Sequence, residues 1–130
     1  MSSRRPPKLF FDRCFGGRVL RERLVVAGFG FEIVLHDEVF PKTADDLLWA
    51  EWAAAEGAVA FTCDLFRNEY QRATLENFAG IVIIFPELRV ELTQQHMLHA
   101  WPKVLHLVTQ GQTGCYKYSA VNGRLTRRWK

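Results

Sequence analysis

Apolar residues along this chain fall into short dense runs separated by stretches in which they recur every third or fourth position. "KLFF" (Lys8 to Phe11) reads as a short buried strand, and "RVLRERLVVA" (Arg18 to Ala27) as a helix with Leu20, Leu24 and Ala27 on one face and Gly28 as its stop. "FGFEIVLHD" gives a second strand ending near His36. A turn at Pro41 and a cap at Thr43 then lead into a helix from Asp45 to Glu56, closed by Gly57. "AVAFTC" is a third strand, Glu69 to Asn77 a third helix, and "GIVIIFP" a fourth strand, apolar almost throughout, as strands covered on both faces are. Strand and helix alternate, which predicts an α/β fold: a mostly parallel sheet between helical layers.

The remainder breaks that rhythm. In "LTQQHMLHAWPKVLHLVTQG", Thr93 is placed to cap a helix running to about Thr109, and Pro102 is expected to kink or split it. Met97, Leu98, Trp101, Val104, Leu105 and Val108 share one face. "CYKYSAVNGRLTRRW" alternates Tyr116, Tyr118 and Ala120, turns at Asn122-Gly123 and returns through Leu125, the pattern of a C-terminal β-hairpin with basic outward positions.

Composition narrows the class. The 130 residues are 48% hydrophobic, 13% aromatic and 24% charged, so one domain with a substantial core is expected over residues 8–130, preceded by a flexible basic arm at 1–7. The longest apolar stretch, "IVIIF", is far below the roughly 20 residues of a membrane span, and "MSSRRPPK" leads into no signal-peptide core, so a cytoplasmic protein with no membrane partner is expected. Cys14, Cys63 and Cys115 form no zinc-like pair and leave one thiol over in any disulfide scheme, which favours reduced thiols in a reducing compartment.

Charge adds more than the net +3 suggests. Residues 1–23 carry seven Arg or Lys against two acids and residues 117–130 five against none, whereas residues 24–116 carry five against twelve. Basic flanks around an acidic centre suit a cation site that handles a polyanion, although solvated termini are often basic without function.

The acids fall in a telling place. Two apolar strands end on carboxylates, "KLFFD" at Asp12 and "AVAFTCD" at Asp64. In open parallel sheets, ligands collect beyond the carboxyl ends of the strands, where loops from distant parts of the chain converge. If the first and third strands are neighbours, Asp12 and Asp64 reach the same edge, and Asp46, with Asp45 beside it, sits in the first turn of the helix leading towards the third strand. Either acid alone is explained by a turn or by the helix macrodipole. Together, converging carboxylates call for a divalent cation, and oxygen-only ligands favour Mg²⁺ or Mn²⁺.

The residues also resemble a family. "LFFDRCFGGRVLRERLVVAGFGFEIVLHD", "FPKTADDLLWAEWAAAEGAVAFTCD" and "GIVIIFPELRVELTQQHMLHAWPKVLHLV" together are similar, in order and over nearly the whole chain, to the small PIN-like domains related to VapC toxins of toxin-antitoxin pairs. The most specific pieces are the strand ending in Asp12, Asp46 followed by Trp49, the Thr62-x-Asp64 close, and the Leu-Thr opening with Trp-Pro-Lys in the late helix. The resemblance implies a PIN-like three-layer α/β/α sandwich and a metal-dependent endoribonuclease, the toxin of a pair silenced by a cognate antitoxin. Asp12, Asp46 and Asp64 would be the catalytic metal ligands, and Thr62 a supporting hydroxyl. Such domains often add a fourth acid soon after the third strand. Here "LFRNE" follows Asp64, and Asn68, Glu69, Asp37 or Glu51 are the candidates for the further oxygen.

Other residues also carry possible chemistry. Arg13, Arg18 and Arg67, with Arg21, Arg124, Arg127 and Arg128, form the pool for RNA phosphate contacts. Tyr116, Tyr118 and Trp129 could stack on bases, though alternating aromatics in a hairpin more often pack a sheet. His96, His99 and His106 share a helix sector that suits zinc or, more simply, a solvated side. Cys14 and Cys63 each lie within two residues of a candidate acid and are expected to approach one another, as structural thiols before nucleophiles. Gly16 and Gly17 lack phosphate-loop spacing. An aromatic hairpin edge would suit a homodimer or antitoxin capture. The competing function is a catalytically degenerate PIN-like module that binds RNA or protein without cleavage. A phospho-receiver domain ranks lower, because "FFDRCF" supplies one acid where two adjacent acids are needed.

Overall fold

The structure, a computed structural model, describes residues 6–44, 48–67, 69–76 and 78–128. Their order is β1 (Lys8–Phe11), α1 (Gly17–Val26), β2 (Ile33–Leu35), α2 (His36–Val39), α3 (Leu48–Glu56), β3 (Ala58–Thr62), α4 (Glu69–Glu76), β4 (Ile81–Ile84), α5 (Val90–Thr109), β5 (Gly114–Tyr118) and β6 (Leu125–Arg127). The strands form one sheet in the order β2-β1-β3-β4-β5-β6, with β1 to β5 parallel and β6 antiparallel to β5. The expected α/β class, mostly parallel sheet and terminal hairpin are therefore present. Most of the arm, residues 1–5, lies outside the described residues.

Alternate positions along the strands feed two cores. Leu9, Phe11, Val59, Phe61, Ile81, Ile83, Tyr116 and Tyr118 face α1 and α5, where Leu20, Leu24, Met97, Ala100, Trp101 and Val104 meet them. Phe10, Ala58, Ala60, Val82, Ile84 and Cys115 face the other way, against Trp49, Ala50 and Ala53 of α3 and Leu75 of α4. This makes three layers. On the second face the small residues Ala50, Ala53, Ala58 and Ala60 pack with an aromatic cluster, in which Phe10 stacks on Trp49 with ring centroids 5.7 Å apart and also meets Phe40 and Trp52, while Trp49 meets Phe66.

The two sheet edges differ. At β2, Leu9 N–H takes Glu32 O, so the alternating Ile33 O and Leu35 N–H point outward. Arg21 donates to Ile33 O at 3.2 Å and Glu38 accepts from Leu35 N–H at 3.0 Å, while the two side chains pair at 2.7 Å. Side chains thus occupy hydrogen-bonding groups on which another strand would otherwise add.

Several expectations are corrected. Thr93 does not cap α5; the helix starts at Val90, and Thr93 Oγ1 donates back to Leu88 O and Arg89 O from within it. Pro102 does not split the helix, which runs unbroken to Thr109. The carbonyl that loses its N–H partner belongs to Leu98, four residues before it, and Leu98 is exposed. Leu98 accordingly leaves the predicted apolar face. The second strand does end near His36, as expected: it stops at Leu35, and His36 begins the short α2. Asp45 and the start of the predicted helix lie outside the described residues; α3 is described from Leu48. Tyr116 and Tyr118 are buried, so the hairpin presents no tyrosine ring for base stacking or self-association, and Trp129 lies outside the described residues. β5 is also an inner strand, leaving β6 alone at that edge.

Gly16 makes the tight entry to α1. It sits at φ +64°, and a Cβ there would come within 2.5 Å of Leu20 Cδ2, a core side chain. Gly16→Ala should lower unfolding free energy by about 2 kcal/mol or more, combining left-handed strain with the clash. Urea denaturation against the parent protein measures it.

Candidate functional site at the carboxyl edge of the sheet

Four parallel strands end along one side of the sheet, and the loops after them line a cleft of about 270 Å³. β1 contributes Asp12, Arg13 and Cys14; β2 is followed by His36 and Lys42; β3 contributes Cys63 and Asp64; and β4 is followed by Glu87. Larger hollows lie between α1 and α5, about 430 Å³, and between α5 and β6, about 550 Å³. Neither has carboxylates from several strand ends, so their size does not make them the better chemical candidates.

The pairing of β1 with β3 brings the first two acids together. Phe11 is opposite Phe61, and Asp12 N–H continues the ladder by donating to Phe61 O at 2.9 Å. Phe15 anchors the loop that follows. Its ring is buried between Phe11, Phe61 and Phe85 at centroid distances of 4.9, 5.5 and 5.2 Å, which fixes the short stretch from Asp12 to Cys14 against the core.

Thr62 is the link between the acids. Fully buried at the end of β3, its Oγ1 donates to Asp12 Oδ2 at 2.8 Å and accepts from Asp64 N–H at 3.1 Å. Asp12 Oδ1 accepts from Arg13 N–H, and Asp64 Oδ1 from Phe66 N–H, both at 2.8 Å. The second contact closes a turn in which Phe66 takes φ +50°, a left-handed backbone rare for a bulky residue. Phe66 is buried in the core beside Trp49, and that burial offsets a strain of about 1–3 kcal/mol. This accounts for "LFRNE": Phe66 anchors Asp64 from below.

The further acid in the cleft is Glu87. Asp37 is instead engaged by His36, 3.0 Å from Nδ1, and by Arg13, 3.4 Å from Nε, and the His36 hydrogen bond, aided by Arg13, holds its carboxyl below the usual range. Glu51 and Glu69 are exposed on α3 and α4, away from the cleft lining. Asp45, Asp46 and Asn68 lie outside the described residues. The signal for Glu87 was in the sequence: "IVIIFPE" is another apolar strand reaching an acid, delayed by one proline.

Among the proposed RNA-contacting arginines, Arg13 lines the cleft, with Nη1 donating to Lys42 O at 3.3 Å. Arg18 and Arg67 are exposed outside its lining. Lys42, which no sequence pattern marks, joins Arg13 there. The three histidines do not converge as a zinc site: His96 Nδ1 lies 2.7 Å from the Tyr118 hydroxyl, and among the described residues no group of three or more His, Cys, Asp or Glu is arranged to hold a metal.

Cys14 and Cys63 do approach one another, as expected. Cys63 N–H donates to Cys14 Sγ at 3.0 Å, and Cys14 Sγ lies 3.4 Å from Thr62 Oγ1. The Cys63 thiol hydrogen bond lowers Cys14 to about 7 against the opposing effect of burial, and the same partnership pushes Cys63 up. Burial raises Cys115 to about 12. Set against protein-family models, curated proteins and solved structures, the chain matches none of them.

Replacing Thr62 with Val keeps the shape and removes both links at once. Thr62→Val should cost about 1–3 kcal/mol, because Asp12 loses its donor and the Asp64 N–H its acceptor. Thr62→Ser should recover most of it. Urea unfolding of the two variants makes the comparison.

Proposed function

We propose that the chain is a PIN-like, Mg²⁺- or Mn²⁺-dependent endoribonuclease and that the strand-end cleft is its active site. The observation that carries the reading is the meeting of Asp12 and Asp64, from opposite ends of the first half of the chain, in one cleft that also holds Glu87, Arg13 and Lys42. Carboxylate oxygens are hard ligands, and a parallel-sheet edge is where loops gather them; among the described residues Asp12 and Asp64 supply two such groups in this cleft, short of a three-ligand set. Asp12 and Asp64 would hold the cation, with Asp46 as the third ligand implied by the resemblance and Glu87 as the further acid. The bound cation supplies an acidified water and charge neutralisation at phosphate.

The chain's own residues have separable parts in this reading. Thr62 orients Asp12 by donating to Oδ2, leaving the remaining lone pairs directed by the fixed loop. The Phe66 turn does the same for Asp64. Arg13 and Lys42 offset the anionic backbone of RNA as it enters a cleft that would otherwise repel it. The basic balance of the first 23 positions and of those after residue 116 suits the same polyanionic substrate. The role as a toxin held by a cognate antitoxin rests on the family resemblance alone.

A second reading has a specific observation behind it. Because the described residues contain no ready three-ligand group, a degenerate site would leave a module that binds RNA or a protein without cutting. The two readings separate in one experiment: cleavage of a mixed RNA by purified protein with Mn²⁺, with Mg²⁺ and with EDTA, beside Asp12→Asn, Asp64→Asn and Glu87→Gln. The nuclease reading expects cutting that needs metal and falls more than about 100-fold in either aspartate variant, beyond the upper end of losses at groups that only support a ligand. RNA binding that survives all three changes, without cleavage, would establish the second reading instead.

A further inference from the structure

We propose that Cys14 and Cys63 form a redox-active dithiol, which a hydroperoxide oxidises to an intramolecular disulfide and a small-molecule thiol restores. The proposal stands independently of the nuclease reading. The two residues are 49 positions apart and sit on the loops after β1 and β3, so the strand pairing that joins the acids also joins the sulfurs. Their contact is reciprocal: Cys63 N–H donates to Cys14 Sγ at 3.0 Å, and Cys63 Sγ donates to Cys14 O at 3.5 Å. Each sulfur thus already touches the other residue's backbone, which is the proximity a bond between them would need.

Access separates this pair from a structural cysteine. Cys14 is exposed and Cys63 partly so, whereas Cys115 is 2% exposed within the second core. Both members of the pair also line two hollows, the acidic cleft of about 270 Å³ and a neighbour of about 320 Å³ bounded by Phe15, Pro86 and Leu88. A molecule the size of hydrogen peroxide has room in either. Buried thiols that serve only packing do not meet solvent from two sides.

The chemistry balances in two steps. The Cys14 sulfur gives two electrons to peroxide; an S–O bond forms as O–O breaks, giving a sulfenic acid and one water. The Cys63 sulfur then displaces that hydroxyl, which leaves as a second water with the thiol proton, and an S–S bond forms. Two thiols and one hydroperoxide thus give a disulfide and two waters, or water and an alcohol for an alkyl peroxide. The bridge would withdraw the Cys14 sulfur from Thr62 Oγ1 and Asp12 Oδ2, to which it lies 3.4 and 3.8 Å, respectively. Oxidation would therefore alter the contacts that hold Asp12.

The test uses the full chain, reduced and freed of reductant. After treatment with stoichiometric hydrogen peroxide, remaining thiols are alkylated with N-ethylmaleimide in denaturant and intact masses are read. The expected product is a monomer carrying one alkyl group instead of three, with Cys14 joined to Cys63 in the peptide map and all three thiols recovered by dithiothreitol. Cys63→Ser, checked for folding by circular dichroism, should trap Cys14 as a sulfenic acid that reacts with dimedone. Three alkylated cysteines after peroxide exposure, sulfinic acid at Cys14 in the parent protein, or a bridge between chains would overturn the proposal.

Discussion

The parallel pairing of β1 with β3 is the constraint from which the site follows. Phe11 opposite Phe61 sets the register, and any one-residue slip would turn both side chains out of the core they share with Phe15. Register is therefore enforced by burial, and the loop residues inherit it. Asp12 extends the ladder by its N–H to Phe61 O, Thr62 bridges it to Asp64, and Cys14 comes to rest on Cys63. The polar edge is positioned by apolar residues on its inner side, with Phe15 and Phe66 each pinning one acidic loop.

That arrangement explains how an edge crowded with acids stays ordered. Carboxylates at one cleft repel one another, yet each aspartate accepts a backbone N–H, and Arg13 and Lys42 stand beside them. For the proposed cation the same order would matter, because the loops would not have to be assembled when a ligand arrives. It also ties the thiols to the acids, because Thr62 touches Cys14 and Asp12 through the same oxygen.

Much of this was legible in the sequence. The dense apolar runs of "KLFF", β3 and β4 identify strands covered on both faces, and the acids at their ends identify the edge. What was not legible depended on tertiary neighbours. Thr93 has the composition of a cap but lies one turn inside its helix, since local propensity does not say where preceding residues join. Pro102 is tolerated within α5, on whose exposed side Leu98 lies, and that exposure is a property of the fold. Phe66 reads as an apolar residue in a polar slot until Trp49 is seen beside it. Glu87 was hidden by Pro86, which disguises a fourth strand end as a turn.

The central claim is that Asp12 and Asp64 share a divalent cation. The most direct measurement is Mn²⁺ binding to the purified protein by electron paramagnetic resonance, comparing the parent with Asp12→Asn and Asp64→Asn under conditions in which all three remain folded. The account predicts bound Mn²⁺ in the parent and its loss in both variants, since each removes a ligand from one shared site. Binding unchanged by either substitution, or none in the parent, would contradict it.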